Sequence, residues 1–188
     1  MATRVKDAAG DSPRTDAAGR PQFTVYTHAD ACDMRASGAV SYSNMDETLL
    51  AALGRIEAAG GEEGSDTEHL FAAGGMSLSR VWFKSGFPLI LHSHDSDCLY
   101  YITGGSLRLG THTLEKGEGF FVPADVPYAY TAGDEGVELL EFRTAEKYDF
   151  KLASRSAKYY DRIADVLAAR RSVWSDEPRP GQTLAQPC

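Results

Sequence analysis

Two histidines one residue apart, His92 and His94, are where the types and spacing in this chain first suggest chemistry. Strand side chains alternate with a period of two, so both imidazoles would point to one face and could grip a single metal ion. Cys98 follows four residues after His94, and a tight turn over Asp95, Ser96 and Asp97 can return it to that face. It reads either as a small buried hydrophobe or as a thiolate ligand whose pKa a nearby cation lowers. Asp97 is an alternative oxygen ligand, but its offset suits a loop. Tyr100 shares strand parity with Cys98, and Tyr130 shares it with Tyr128, so several phenols could face one cavity. They could line an aromatic pocket, move a proton, ligate iron or simply fill a barrel. Phenolate suits a hard ferric ion, whereas two imidazoles with a thiolate suit zinc or copper. Glu141 could supply a carboxylate, although pairing with Arg143 or Arg108 is the commoner fate of such a residue. His28 has no assigned place, His69 on an early strand is a weak ligand candidate, and His112 falls in a hairpin away from the pocket.

These residues need a scaffold of short strands. From Glu68 onward, apolar and polar residues alternate in brief segments at 69–71, 76–84, 89–94, 99–103, 106–109, 111–114, 119–122, 128–131 and 137–143. Turns are expected at Gly104-Gly105, Gly110, Lys116-Gly117, 123–127 and 132–136. Many short strands with Gly and Pro turns predict an all-β sandwich or barrel. Helical spacing of Met45, Leu49, Leu50, Leu53 and Ile56 predicts a helix over 45–59, opened by an Asn44–Glu47 capping box and stopped by Gly60-Gly61. A second helix is expected over 154–174, with Tyr159, Tyr160, Ile163, Val166 and Leu167 as its apolar stripe. The domain plan is therefore a disordered 1–21, an arm and helix over 22–67, the barrel over 68–146, a helix within 147–174 and a flexible tail over 175–188.

The blocks carrying the candidate residues resemble the two signature motifs of the cupin superfamily. Gly86, His92, His94 and Gly105 match the first motif, with Cys98 where its glutamate belongs. Gly117 and Pro123 match the second, with Asp125 replacing a glycine and Tyr128 replacing its histidine. The resemblance covers 68–146 and implies a double-stranded β-helix, or jelly roll, with a central cavity. It implies a divalent metal, Fe(II) ahead of zinc or copper, on His92, His94 and Cys98, with Tyr100, Tyr128 and Cys98 as catalytic candidates. The run from His92 to Cys98 is also similar to the first motif of thiol dioxygenases, where the cysteine can be joined to a tyrosine. Tyr128 and Tyr130 are its possible partners here.

Three functions follow as expectations. The first is a metal-dependent enzyme acting on a small organic molecule, most plausibly a non-haem iron dioxygenase for phenol or diketone cleavage or thiol oxidation. The second is a metal-dependent lyase or isomerase, and the third is a binding module without catalysis. A net charge of −8 argues against a nucleic-acid partner. No apolar run approaches membrane-spanning length, and three widely spaced cysteines form no disulfide framework. A cytoplasmic protein is expected, and cupins of this size commonly pair, so a homodimer is expected too.

Overall fold

A computed structural model describes residues 16–181, so the expected disorder of 1–15 and 182–188 lies outside the described residues. The described parts of the two terminal segments make different contacts, a local turn at one end and bonds to the barrel at the other. Asp16 accepts hydrogen bonds from the backbone N–H of Ala18 and Arg20. Glu177 accepts from both the backbone and the hydroxyl of Ser85, at 2.6 Å each. Within the tail expected over 175–188, the described part thus meets the barrel through hydrogen bonds.

The strands are β1 (Cys32–Asp33), β2 (Val40–Ser41), β3 (Ser65–Ala73), β4 (Met76–Phe83), β5 (His92–Ser93), β6 (Cys98–Leu109), β7 (His112–Glu115), β8 (Gly119–Val122), β9 (Thr131–Arg143), β10 (Tyr148–Asp149) and β11 (Lys151–Leu152). One antiparallel sheet runs β1-β3-β4-β9-β6-β7, with β8 also on β6. Facing it, β5 pairs with β11 and is bridged through His92 to Tyr128. The result is an all-β jelly roll. Its core is filled by inward residues of the large sheet, among them Val81, Phe83, Ile102, Leu107, Val137 and Leu139. Burying such side chains is worth about 1.5–3 kcal/mol each before entropy is counted.

Several expectations change in detail. Gly104-Gly105 is not a turn: β6 runs straight through it, absorbing register shifts on either side. Gly105 has φ of 69°, and a side chain there would collide with the Gly136 carbonyl, so two glycines let the strands approach. Likewise 132–136 lies within β9 rather than in a turn. The barrel also exceeds 68–146, since β3 begins at Ser65 and β11 closes onto β5.

Helix α1 (Glu47–Ala58) is capped by Asp46, whose carboxylate accepts from the Leu49 N–H at 2.9 Å. The expected Asn44–Glu47 box does not form, because Asn44 bonds both backbone groups of Leu152. Leu49, Ala52 and Ile56 form its buried face, while Leu50 points to solvent. Helix α2 (Ala157–Arg170) starts at a Ser156 cap and ends before Trp174. That indole is fully buried and donates to the Ser85 carbonyl at 3.0 Å. The two helices pack on each other, with Arg55 and Asp161 paired at 3.1 Å.

Candidate metal centre

His92 and His94 sit where β5 crosses the mouth of the barrel, and both are buried. Each ring is pinned by its Nδ1–H: His92 donates to the Ile90 carbonyl at 2.7 Å and His94 to the Asp149 carbonyl at 2.8 Å. Backbone pins of this kind fix the tautomer and leave Nε2 as the lone-pair nitrogen. The rings lie 4.8 Å apart, edge to face, and Phe150 stacks flat on His92 at 4.2 Å. Burial lowers the His92 pKa to about 4 and the His94 pKa to about 2, the Arg143 cation adding to both shifts. Both imidazoles are therefore neutral at ordinary pH, the form that binds metals.

Tyr128 stands across from His92 through a two-way backbone bridge. Its hydroxyl lies 2.9 Å from His92 Nε2 and donates to it, since the other ring nitrogen carries the proton. Tyr100, on β6, donates in turn to the Tyr128 oxygen through a short hydrogen bond. Arg143 Nη2 donates to the Tyr100 oxygen at 3.1 Å and to Glu141 Oε2 at 2.7 Å. The β6–β9 register builds this chain by setting Tyr100 opposite Glu141 and Cys98 opposite Arg143. Burial pushes the Tyr100, Tyr128 and Tyr130 phenols well above their ordinary range, with Glu141 adding to each shift.

The sequence leaves Cys98 open between a buried thiol and a thiolate ligand, and its protein surroundings favour the neutral thiol. Burial, reinforced by Glu141, pushes its pKa up to about 12, and these outweigh Arg143. The thiol stays neutral, next to the Tyr100 hydroxyl and 3.9 Å from the Leu99 carbonyl. Asp97 serves the loop instead, accepting from the Ala124 N–H at 2.8 Å. Glu141 pairs with Arg143, the commoner fate named for it, while Arg108 takes no part. Tyr130 is buried among Phe83 and Phe120. His69 does not line the cavity, and His28 and His112 are exposed.

A cavity of about 250 Å³ opens onto His92, His94, Tyr128, Glu141 and Arg143. Leu53, Ile56, Ile163 and Leu167 from the helices complete an apolar wall. Three contributors escaped the sequence reading: Tyr148, Phe150 and the Asp149 carbonyl. They come from 147–152, which was assigned to the approach of a helix. The alternation Tyr148, Phe150, Leu152 was the available signal. Tyr148 packs edge-on to His94 at 5.2 Å and lies under the Arg143 guanidinium at 4.2 Å.

The His-x-His strand and the facing tyrosine occupy matching places on opposite walls of a jelly roll. The fold is that of the cupins. No protein-family model and no curated protein matches the chain. Solved structures similar to this chain include KdgF from Halomonas sp., at 18% identity over 43% of this chain and 77% of that one, with a TM-score of 0.39. An RmlC-like cupin from Shewanella frigidimarina shows 21% identity over 43% and 76%, with a TM-score of 0.39. The polyketide cyclase RemF from Streptomyces resistomycificus shows 17% identity over 55% and 84%, with a TM-score of 0.47. At these identities the likenesses concern the fold alone.

The donor set can be tested against the metal that a cupin barrel implies. Among the described residues no group of three or more His, Cys, Asp or Glu side chains is gathered for an ion. The trio that does converge is two imidazoles and a phenol. Adjacent ligand atoms on one ion with bonds near 2.1 Å stand about 3 Å apart, and His92 Nε2 and Tyr128 Oη stand 2.9 Å apart. An ion there would take the place of the Tyr128 proton. His92 Nε2 and the Tyr128 oxygen are spaced as two donors to one ion, with the His94 ring 4.8 Å from the His92 ring.

Proposed function

We propose that this cupin is an enzyme for a small organic molecule, with one divalent ion held by His92, His94 and Tyr128. The observation that carries the reading is the Tyr128 oxygen against His92 Nε2, beside His94, with both imidazoles pinned from behind by backbone carbonyls. Two nitrogens and an anionic oxygen resemble the donor types of non-haem iron oxygenases, which favours Fe(II) over zinc or copper. The ion would supply Lewis acidity and open positions for reactants.

The chain's own residues do the rest. Tyr100 keeps a hydrogen bond on the Tyr128 oxygen and steadies it as an anion, with Arg143 backing Tyr100. Phe150 holds the His92 ring in plane and keeps water from that face. The apolar wall takes the body of the substrate, so an activated phenol or diketone suits the cavity better than a highly charged molecule.

A second reading, a lyase or isomerase, is favoured by the hydrogen-bond chain from Arg143 through Tyr100 to Tyr128, which can hold or return a proton. Oxygen uptake with β-diketones and catechols as probes separates the two. Consumption that depends on His92 and His94 supports the oxygenase; turnover of the same probes without oxygen supports the lyase or isomerase. Among the described residues no helix is long and apolar enough to cross a membrane. The free thiols Cys32 and Cys98 suit the cytoplasmic location expected from sequence.

A further inference from the structure

One inward row of the large sheet is polar from end to end. The strand register sets Cys32 opposite His69, His69 opposite Ser79, Ser79 opposite Glu141, and Glu141 opposite Tyr100. The row crosses β1-β3-β4-β9-β6, from the edge of the sheet to the phenol that bonds Tyr128. Directly opposed side chains share a face. Two residues along each central strand that same face is apolar, with Val81 opposite Leu139 and Leu139 opposite Ile102, all three in the core. Serine and histidine in the neighbouring row are out of place as packing.

Neither finds a partner in the protein. The Ser79 hydroxyl and His69 Nδ1 are both enclosed and make no hydrogen bond with the described residues. Ser77, on the same face of β4, gives its hydroxyl to the Ala145 carbonyl at 2.7 Å, so a buried serine nearby is satisfied. Buried polar atoms nearly always hold a partner, either protein or ordered water. Directly opposed side chains stand about 5 Å apart at Cβ, a gap that one water spans with two hydrogen bonds. At the inner end, Glu141 lines the cavity and gives Oε2 to Arg143. At the outer end, the His69 ring is only half-buried although its Nδ1 is enclosed.

We propose that Glu141, Ser79 and His69, joined by ordered water, form a proton passage from the back of the cavity to the edge of the sheet. A proton from the cavity enters at Glu141, and the Ser79 hydroxyl accepts one proton as it gives up its own. His69 accepts at Nδ1 and releases the proton of Nε2 to solvent, so no net charge stays in the row. Burial lowers the His69 pKa, which keeps the ring neutral and Nδ1 free to accept. A substrate filling the apolar cavity closes the way out past the helices, and the passage is then the exit that remains. That use rests on the function proposed above, whereas the passage itself depends on neither the ion nor the reaction.

Exchange of the Tyr100 hydroxyl proton with solvent, read by NMR in the ion-free full chain, tests it. Tyr100 is fully buried and does not line the cavity, so its proton reports the route behind the wall. Valine and threonine share one shape, and only threonine keeps a hydroxyl. Ser79→Val should slow exchange at least about tenfold, the worth of one unmade buried hydrogen bond, while Ser79→Thr stays within about twofold of wild type. His69→Phe should slow exchange as Ser79→Val does. Equal rates in Ser79→Val and Ser79→Thr overturn the proposal, as does a His69→Phe chain that exchanges like wild type. Should the added methyl group unfold both Ser79 variants, a high-resolution crystal structure of the unsubstituted chain decides. Ordered water between Glu141 and Ser79 and between Ser79 and His69 is expected there, and a dry row overturns the passage.

Discussion

Tyr128→Phe removes a single oxygen and separates the proposed metal centre from a merely packed tyrosine. In the ion-free protein that oxygen donates to His92 and accepts from Tyr100, both deep in the barrel. Losing two buried hydrogen bonds at about 1 kcal/mol each should cost roughly 2 kcal/mol in urea denaturation. The larger effect concerns protons. His92 and His94, with pKa values of about 4 and 2, are already neutral above pH 6, so an ion displaces no proton from them. The Tyr128 phenol is held protonated well past its ordinary range and must lose its proton to become a ligand. Affinity for Fe(II), titrated without oxygen, should therefore rise about tenfold per pH unit between pH 6.5 and 8.5, one proton being released per ion. In Tyr128→Phe the affinity should fall at least about 100-fold, since loss of an outer-shell partner alone costs 10–100-fold, and its pH slope should vanish. Equal slopes in parent and variant would refute the reasoning, because the displaced proton would then have come from elsewhere.

Other outcomes follow from the same contacts. In chelator-stripped protein the lowered histidine pKa values mean that the unfolded chain binds more protons below pH 6.5. Stability should fall with decreasing pH from 6.5 toward about 4 by up to roughly 2.7 kcal/mol per pH unit for the two rings together, and urea midpoints across that range read it. Glu141→Ala leaves the nearly inaccessible Arg143 guanidinium without its carboxylate and should cost about 3–5 kcal/mol, read by thermal and urea unfolding. Iodoacetamide on native protein at pH 8 should label Cys32 well before Cys98, whose thiol is buried with a pKa near 12; mass mapping that finds Cys98 modified first would contradict its neutral, enclosed state.

The barrel was legible because short-range signals and family spacing agreed. Strand alternation, Gly and Pro punctuation, and the Gly86–His92–His94–Gly105 spacing all pointed to one architecture. The helices were legible as stripes, but their caps were not: Asn44 looked like a cap and was claimed by Leu152, a residue 108 positions away. Gly104-Gly105 resembled a turn because local sequence cannot show that Gly136 approaches from another strand. His92, His94, Tyr100 and Tyr128 were placed together by parity alone, and the structure joins them. The protonation of Cys98 could not be read from sequence because its pKa depends on burial and on Glu141, a charge 43 residues later. Tyr148 and Phe150 were missed because two-residue strands are too short to show a period.

Metal content of protein purified without chelators, measured together with a His92→Ala, His94→Ala variant, decides whether the imidazole pair is a metal centre. One ion per chain in the parent is expected, iron above zinc or copper, with none in the variant and an unchanged far-ultraviolet spectrum in both. A well-folded parent that stays empty even after anaerobic incubation with excess Fe(II) or Zn(II) would contradict it, as would an ion retained when both histidines are gone.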